Sequence, residues 1–221
     1  MIIFAFILLI GLSGCVVPTF GTNIETIYGT GPMVSRSFEG GDFTDISLGG
    51  SFIVTYRHSA SASATVVMQE NLFEYHTIEI NRGELVVRPE RGTSIQHNSG
   101  YRPRLYIYAP FLESVEVSGA IEGSSWDVIS AQNFDISIVG TGDLTIPLDV
   151  TDLRINVAGT GNVELLGNAV NAIVTIAGTG NVDLVVSDSL DVTISGMGSV
   201  SYEGSPVVTQ SIAGMGSVRR R

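Results

Sequence analysis

The chain has 221 residues, with 22 acidic residues, 11 basic residues and a formal net charge of −11. Every basic residue is arginine, and the stretch from Pro110 to Val218 holds thirteen Asp and Glu residues but only one base, Arg154. Such a surface repels phosphate backbones, so this charge argues against nucleic acid as a partner. Hydrophobic residues make up 44% of the chain, charged residues make up 15%, and there are 26 glycines. This composition is typical of short strands and tight turns.

Residues 1–14 have the pattern of a bacterial lipoprotein signal peptide. Ile2–Ile10 is an apolar run that is too short for a bilayer span of about twenty residues, but it fits the apolar core of a signal peptide. Leu12-Ser13-Gly14-Cys15 resembles the lipobox, in which the cysteine is lipidated and the chain is cut just before it. Cys15 is the only cysteine, so no intrachain disulfide can form. We therefore expect a lipid-anchored protein of the cell envelope, in the outer membrane if the source is Gram-negative.

Two segments separate this signal from the rest of the chain. Residues 15–33 contain Gly and Pro without a clean periodicity, which predicts a tether between the lipid and the folded body. Residues 34–110 show alternating apolar positions, as in Phe43–Tyr56, and a turn at Asn81–Glu84, which predict several strands. These strands are out of phase with the repeat that follows. We expect this half to cap the open edge of that repeat.

Residues 111–221 carry an internal repeat built around glycine. The first glycine of each unit falls at 119, 140, 159, 178, 196 and 214. A period near twenty residues, with apolar and polar residues alternating inside each unit, is typical of a β-solenoid. We predict an all-β fold, a right-handed parallel β-helix or β-solenoid of about six Gly-x-Gly rungs with a β-rich N-terminal cap. A sandwich built from repeated hairpins is the alternative.

The repeat register also predicts which side chains line up on the outside. Alternate residues of a strand point to one side, so the aliphatic residues and both glycines of each unit are expected to point inward. The outward positions then form two columns that continue into methionine and serine. The candidate binding face consists of Thr141, Thr160 and Thr179 in one column and Asp143, Asn162 and Asn181 in the other.

Three features, read in order, resemble the bacterial auto-transporter adhesin head domain, also called the head GIN domain. Phe43–Tyr56 is similar to the family's opening strand pair, and Leu105–Gly119 is similar to its strand, Pro-x-Leu turn and first glycine motif. The Gly-x-Gly units then follow at the family's spacing, although Thr and Met take the central place and Ala120-Ile121 replaces the second glycine of the first unit. The resemblance implies a β-solenoid-like fold in cell-envelope proteins, often lipoproteins, and an adhesin-like role.

The sequence offers no recognisable catalytic centre. His58, His76 and His97 are widely spaced and lack a metal-ligand pattern. We therefore predict a non-catalytic surface module, with no cofactor and no metal site, whose partners are the membrane and a glycan or an envelope protein. A purely protein–protein sensing role is a third reading.

The alternative is an envelope polysaccharide lyase or hydrolase of the β-helix type. Such an enzyme needs a concave patch that gathers two or more carboxylates with an arginine, and a flat face without one would exclude it. The candidate acids are Asp127, Asp135, Asp143, Asp149 and Asp152.

Overall fold

The computed structural model describes residues 24–98 and 100–221, which form eighteen β-strands and one short 3₁₀ helix, Glu70–Tyr75. The strands are β1 (Glu25–Tyr28), β2 (Met33–Phe38), β3 (Asp45–Leu48), β4 (Ser51–His58), β5 (Ser63–Gln69), β6 (His76–Asn81), β7 (Glu84–Pro89), β8 (Thr93–Gln96), β9 (Arg104–Ala109), β10 (Ser114–Val117), β11 (Ala120–Trp126), β12 (Ile129–Ile138), β13 (Thr141–Val157), β14 (Thr160–Ile176), β15 (Thr179–Ile194), β16 (Met197–Glu203), β17 (Val207–Ile212) and β18 (Met215–Arg220). In this part of the chain, no helix has the length and apolar character that crossing a membrane requires.

The strands stack as a β-solenoid, which confirms the predicted fold class. One parallel ladder, the first ladder, runs through β7, β3, β10, β12, the C-terminal halves of β13–β15, and β17. The second ladder runs through β9, β4, β11, the N-terminal halves of β13–β15, β16 and β18. The chain crosses from the first ladder to the second at the glycine corner of each rung.

Alternation within each strand builds the core. In β13, the side chains of Leu153, Ile155 and Val157 are buried, whereas those of Asp152, Arg154 and Asn156 are not. The same phase recurs in β14 and β15, so equivalent aliphatic residues stack along the solenoid in one continuous core. A single rung on its own cannot bury its aliphatic side chains, so each rung is stabilised by packing against the rungs on either side.

The first glycine of each repeat is required by close approach and not by a left-handed backbone. A Cβ atom added to Gly178 would lie 1.9 Å from the carbonyl oxygen of Gly159, one rung earlier. Gly159 and Gly196 show the same approach, with 2.0 Å to the oxygen of Gly140 and 1.9 Å to that of Gly178. The missing Cβ therefore points at the preceding rung, and these first glycines are partly buried at the corner. The second glycines Gly142, Gly161 and Gly180 are buried as predicted, whereas Gly198 is partly buried and Gly216, near the end of the stack, is exposed.

The stack begins earlier than the sequence predicted. Asp45–Leu48 pairs in parallel with Ser114–Val117, and a Cβ atom at Gly119 would lie 2.1 Å from the oxygen of Gly50. The Gly49-Gly50 corner thus occupies the rung before Gly119, so Pro110 does not mark the start of the repeat. The strands β5 to β9 are inserted between these two rungs in sequence, and this insertion hides the period.

The remaining N-terminal strands are partly as predicted. β6 and β5 run antiparallel to β7 and β9 at the end of the stack, and β2 adds to β5, which agrees with a β-rich cap. The tether prediction is wrong for Glu25–Tyr28, which pairs in parallel with Thr93–Gln96 and buries Ile27. Residues 15–23 of the predicted tether lie outside the described residues.

Candidate functional site

The second ladder presents an outward surface of stacked polar side chains, which we call the polar face. The register places Thr141, Thr160 and Thr179 opposite one another, followed by Met197 and Met215. Asp143, Asn162 and Asn181 form the neighbouring column, followed by Ser199 and Ser217. All six predicted site residues are exposed. The predicted columns are therefore present, and the role of these residues in binding stays a prediction.

Hydrogen bonds between rungs hold the second of these columns. The Asn162 side-chain amide donates to the carboxylate of Asp143 at 2.8 Å, and the Asn181 amide donates to the Asn162 oxygen at 3.0 Å. Each side-chain amide thus donates a hydrogen bond to the preceding rung, and this bond fixes the orientation of the side chain. The polar atoms are presented as an ordered array, one set per rung, at the roughly 4.8 Å spacing of neighbouring strands.

A third column brings charge to the polar face. Glu164 and Asp183 lie opposite each other on adjacent rungs, followed by Ser201 and Arg219. They border an open depression of about 540 Å³ that also includes Glu122 and Asp143. Asp183 is paired with Arg221 at 3.2 Å. The polar face is therefore not flat, and it gathers several carboxylates with an arginine, as the enzyme alternative requires.

A second, smaller cavity of about 240 Å³ lies where the loop before β9 meets the polar face, and we call it the end cavity. From the loop come His97, Tyr101 and Arg102, and from the solenoid come Glu122 and Asp143. Arg102 forms an ion pair with Glu122 across it. Burial lowers the pKa of His97, and the nearby His76 lowers it further. The sequence alone does not bring these residues together, because Tyr101 and Arg102 belong to a loop without periodicity.

Asp135, Asp152 and Arg154, three of the other titratable residues singled out in the sequence, border an open depression of about 510 Å³ on the first ladder, which also brings two carboxylates to an arginine. The carboxylate of Asp135 lies 4.0 Å from the guanidinium of Arg154. The carboxylate of Asp127 forms an ion pair with the guanidinium of Arg57 at 3.5 Å. Asp152 accepts a hydrogen bond from Asn171 at 2.9 Å. Within residues 24–98 and 100–221, no group of three or more His, Cys, Asp or Glu side chains is arranged to hold a metal ion. Cys15 lies outside the described residues.

His58 and His76 have structural surroundings. The backbone N–H of His58 donates to Asp127 at 2.9 Å. His76 is buried beneath β4, where its ring meets Phe52 edge-on, and its Nδ1 lies 2.8 Å from the carbonyl oxygen of Leu72. Burial lowers the pKa of His76, against smaller raising effects from the Leu72 bond and from Glu90. Neither residue faces a cluster of groups that would make it a base or a ligand.

The solenoid and its glycine corners match a known family model. The model described as "Putative auto-transporter adhesin, head GIN domain" matches residues 42–183 and 168–206. The chain belongs to this family. The match starts at the Gly49-Gly50 rung and not at the Gly119 rung, in agreement with the stack described above. No curated protein matches the chain.

Solved structures with the same fold come from Bacteroides and Parabacteroides species. A "putative adhesin" from Bacteroides fragilis superposes with a TM-score of 0.69 at 18% identity, covering 88% of this chain and 100% of that chain. A "putative lipid binding protein" from Parabacteroides distasonis gives 0.56 at 22% identity, with coverages of 89% and 100%. A "putative adhesin" from the same species gives 0.57 at 18% identity, also with coverages of 89% and 100%. At these identities the likeness shows the shared fold.

Proposed function

We propose that this head GIN domain protein is a non-catalytic, adhesin-like binding module, held in the cell envelope by a lipidated Cys15, with the polar face as its binding surface. The observation that carries the proposal is the ordered array of Thr, Asn and Asp side chains on consecutive rungs. A rigid array loses little conformational entropy on binding, because its side chains are already oriented by the bonds from Asn162 to Asp143 and from Asn181 to Asn162.

The chemistry of the polar face favours a glycan over a protein as the partner. Protein interfaces are anchored by buried aromatic and arginine residues. On the polar face, Arg102 and Arg219 are exposed and not buried anchors. The exposed apolar residues are Met197 and Met215 at the end of the Thr column, and the aromatic contribution is Tyr101 at the other end. A glycan carries hydroxyl groups on every ring, so it can bond to carboxylate, amide and hydroxyl groups on several rungs at once.

A binding screen with matched variants tests the polar face. The mature chain, residues 15–221 with Cys15→Ser, is screened against glycans and envelope proteins. The test variant is Thr160→Arg/Thr179→Arg, which places two long side chains in the middle of the Thr column. The control is Thr175→Arg/Thr193→Arg, the same change on the same two strands but on the first ladder, where these threonines also lie opposite each other.

We expect the ligand to bind the wild type and the control but not the test variant. Loss in both variants, or in neither, contradicts a binding role for the polar face. Circular dichroism of both variants shows whether the solenoid is intact.

Lipid anchoring has a separate test. The short apolar run before Cys15 and the Leu-Ser-Gly-Cys motif support it. Cells that express the full chain are labelled with a radioactive fatty acid, and the membrane fraction is compared between wild type and Cys15→Ser. We expect the label and the membrane association to be lost in the variant. A labelled or fully membrane-bound Cys15→Ser protein would contradict anchoring at this residue.

An envelope carbohydrate-active enzyme is the second candidate, because Glu164 and Asp183 stand on adjacent strands beside Arg219 in the open depression. Neighbouring strands hold the backbones of these two residues about 4.8 Å apart, and retaining glycosidases use two carboxylates about 5–5.5 Å apart. The test is the release of reducing ends from envelope polysaccharides by wild type and by Glu164→Gln and Asp183→Asn. Turnover that both substitutions abolish would establish the enzyme, and polysaccharide binding without turnover would support the module.

A further inference from the structure

We propose that the end cavity is a subsite for a single sugar ring, neutral or bearing an amino group, at the terminus of a glycan that lies along the polar face. This inference rests on the proposed function and specifies where the glycan ends and which ring chemistry it carries. Three observations support it: the shape of the cavity, the pairing of its polar groups with an aromatic ring, and the sign of its charge.

The shape fits one ring. The cavity of about 240 Å³ is smaller than the roughly 300–1,000 Å³ that a drug-sized ligand occupies. It is lined by Tyr101 and Arg102 of the loop before β9 and by Thr141 and Asp143 of the polar face. The array of outward columns therefore runs directly into the cavity, so an extended chain of sugars on the face would place its last ring there.

The lining combines the two kinds of group that a pyranose ring needs. Tyr101 is 43% exposed and supplies an aromatic ring for the apolar C–H face of the sugar. Arg102 and Glu122 form an ion pair whose side chains are 62% and 46% exposed, so their free donors and acceptors remain open to sugar hydroxyls. Asp143 adds a carboxylate whose orientation is fixed by the amide of Asn162. Charge-assisted bonds of this kind are stronger than those between neutral groups.

The charge sets the sugar class. Of the charged residues that line the end cavity, Glu122 and Asp143 carry negative charge and Arg102 carries positive charge, and Arg102 is already paired with Glu122. The neighbouring depression adds Glu164 and Asp183. Uronic acids and sulfated sugars would be repelled, whereas an amino group would be attracted.

The test separates this subsite from the polar face as a whole. Glucose, galactose, N-acetylglucosamine, glucosamine and glucuronic acid are each titrated into the mature chain with Cys15→Ser, and binding is measured by saturation-transfer NMR. The oligosaccharide ligand from the screen is measured in parallel. The variants are Tyr101→Ala and Asp143→Asn. The control is Phe111→Ala, which removes an aromatic side chain that is 51% exposed and does not line the cavity.

We expect at least one neutral or amino sugar to bind and glucuronic acid not to bind. We also expect Tyr101→Ala to weaken sugar binding about tenfold and Phe111→Ala to leave it unchanged. Oligosaccharide binding that Thr160→Arg/Thr179→Arg abolishes but Tyr101→Ala leaves unchanged would overturn the subsite and leave the proposed function standing. Monosaccharide binding that depends on Tyr101, without any effect of the Thr160 and Thr179 changes on the oligosaccharide, would support the subsite and overturn the polar face. Preferential binding of glucuronic acid, or no binding of any sugar, overturns the subsite.

Discussion

The glycine corner gives the sharpest prediction about stability. In Gly178→Ala, the new Cβ would lie 1.9 Å from the Gly159 oxygen and 2.6 Å from the Ala158 oxygen, both of them backbone atoms. Relief of this overlap requires the two rungs to separate by about 1 Å at the corner, to reach the ~3 Å at which carbon and oxygen come into contact. That movement would strain the bonds from Gly178 N to Val157 O at 3.0 Å and from Thr179 N to Gly159 O at 2.9 Å.

The magnitude follows from these contacts. Each strained backbone bond costs about 1 kcal/mol, and forced overpacking adds about 1–3 kcal/mol. Alanine also lowers the conformational entropy of the unfolded chain, and this effect stabilises the folded state by about 0.4–1 kcal/mol. We expect a net loss of about 2–4 kcal/mol in the free energy of unfolding, measured by urea denaturation with circular dichroism. Hydrogen exchange should also quicken at the corner amides of Gly178 and Thr179.

A matched control is available in the same chain. Gly40 does not have a positive φ, and a Cβ atom added there would lie no closer than 3.7 Å to any neighbour. We expect Gly40→Ala to change the free energy of unfolding by less than about 1 kcal/mol. If Gly178→Ala is as stable as Gly40→Ala, the explanation of the repeat by close approach is refuted.

Two further predictions concern side chains. Asn162→Ala removes the two side-chain hydrogen bonds to Asp143 and Asn181, so we expect the free energy of unfolding, measured in urea, to fall by about 1 kcal/mol. The control Asn156→Ala changes an exposed residue on the first ladder and should lower it by less than half of that. Equal losses would contradict a stabilising role for these bonds. His76 has a pKa below its usual value of about 6.5, so the folded state binds fewer protons than the unfolded state near that pH. Its contribution to stability is full above about pH 6.5 and is lost as the pH falls through the lowered value. We therefore expect stability to fall less steeply between about pH 7 and pH 5 in His76→Asn, which keeps a donor for Leu72, and an unchanged slope would contradict this assignment.

The repeat made much of the fold predictable from sequence. Each Gly-x-Gly unit fixes the register of its own rung relative to the next, so the spacing from Gly119 to Gly214 is sufficient to stack the rungs. The Gly49-Gly50 rung was not predicted because β5 to β9 lie between it and Gly119, and a period cannot be recognised across an insertion of that size. The strand Glu25–Tyr28 was not predicted because its partner strand, Thr93–Gln96, is distant in sequence.

The candidate site was predictable to the same extent. The columns that contain Thr160 and Asn162 follow directly from the register, and the register extended by two residues would also have found Glu164 and Asp183. The end cavity was not predictable, because Tyr101 and Arg102 belong to a loop without periodicity. Only the packing of that loop against β4 and β11 brings them to Glu122.

Footprinting of a bound glycan tests the central claim, that the polar face is the binding surface, most directly. Met197 is 50% exposed in the Thr column, and Met33 is partly buried in the N-terminal cap, so each reports on its own surface. Oxidation of methionine follows its exposure, and mass spectrometry gives the rate at each site. With a saturating ligand from the screen, we expect several-fold slower oxidation of Met197 and an unchanged rate at Met33. An unchanged rate at Met197 in the fully bound protein would contradict it.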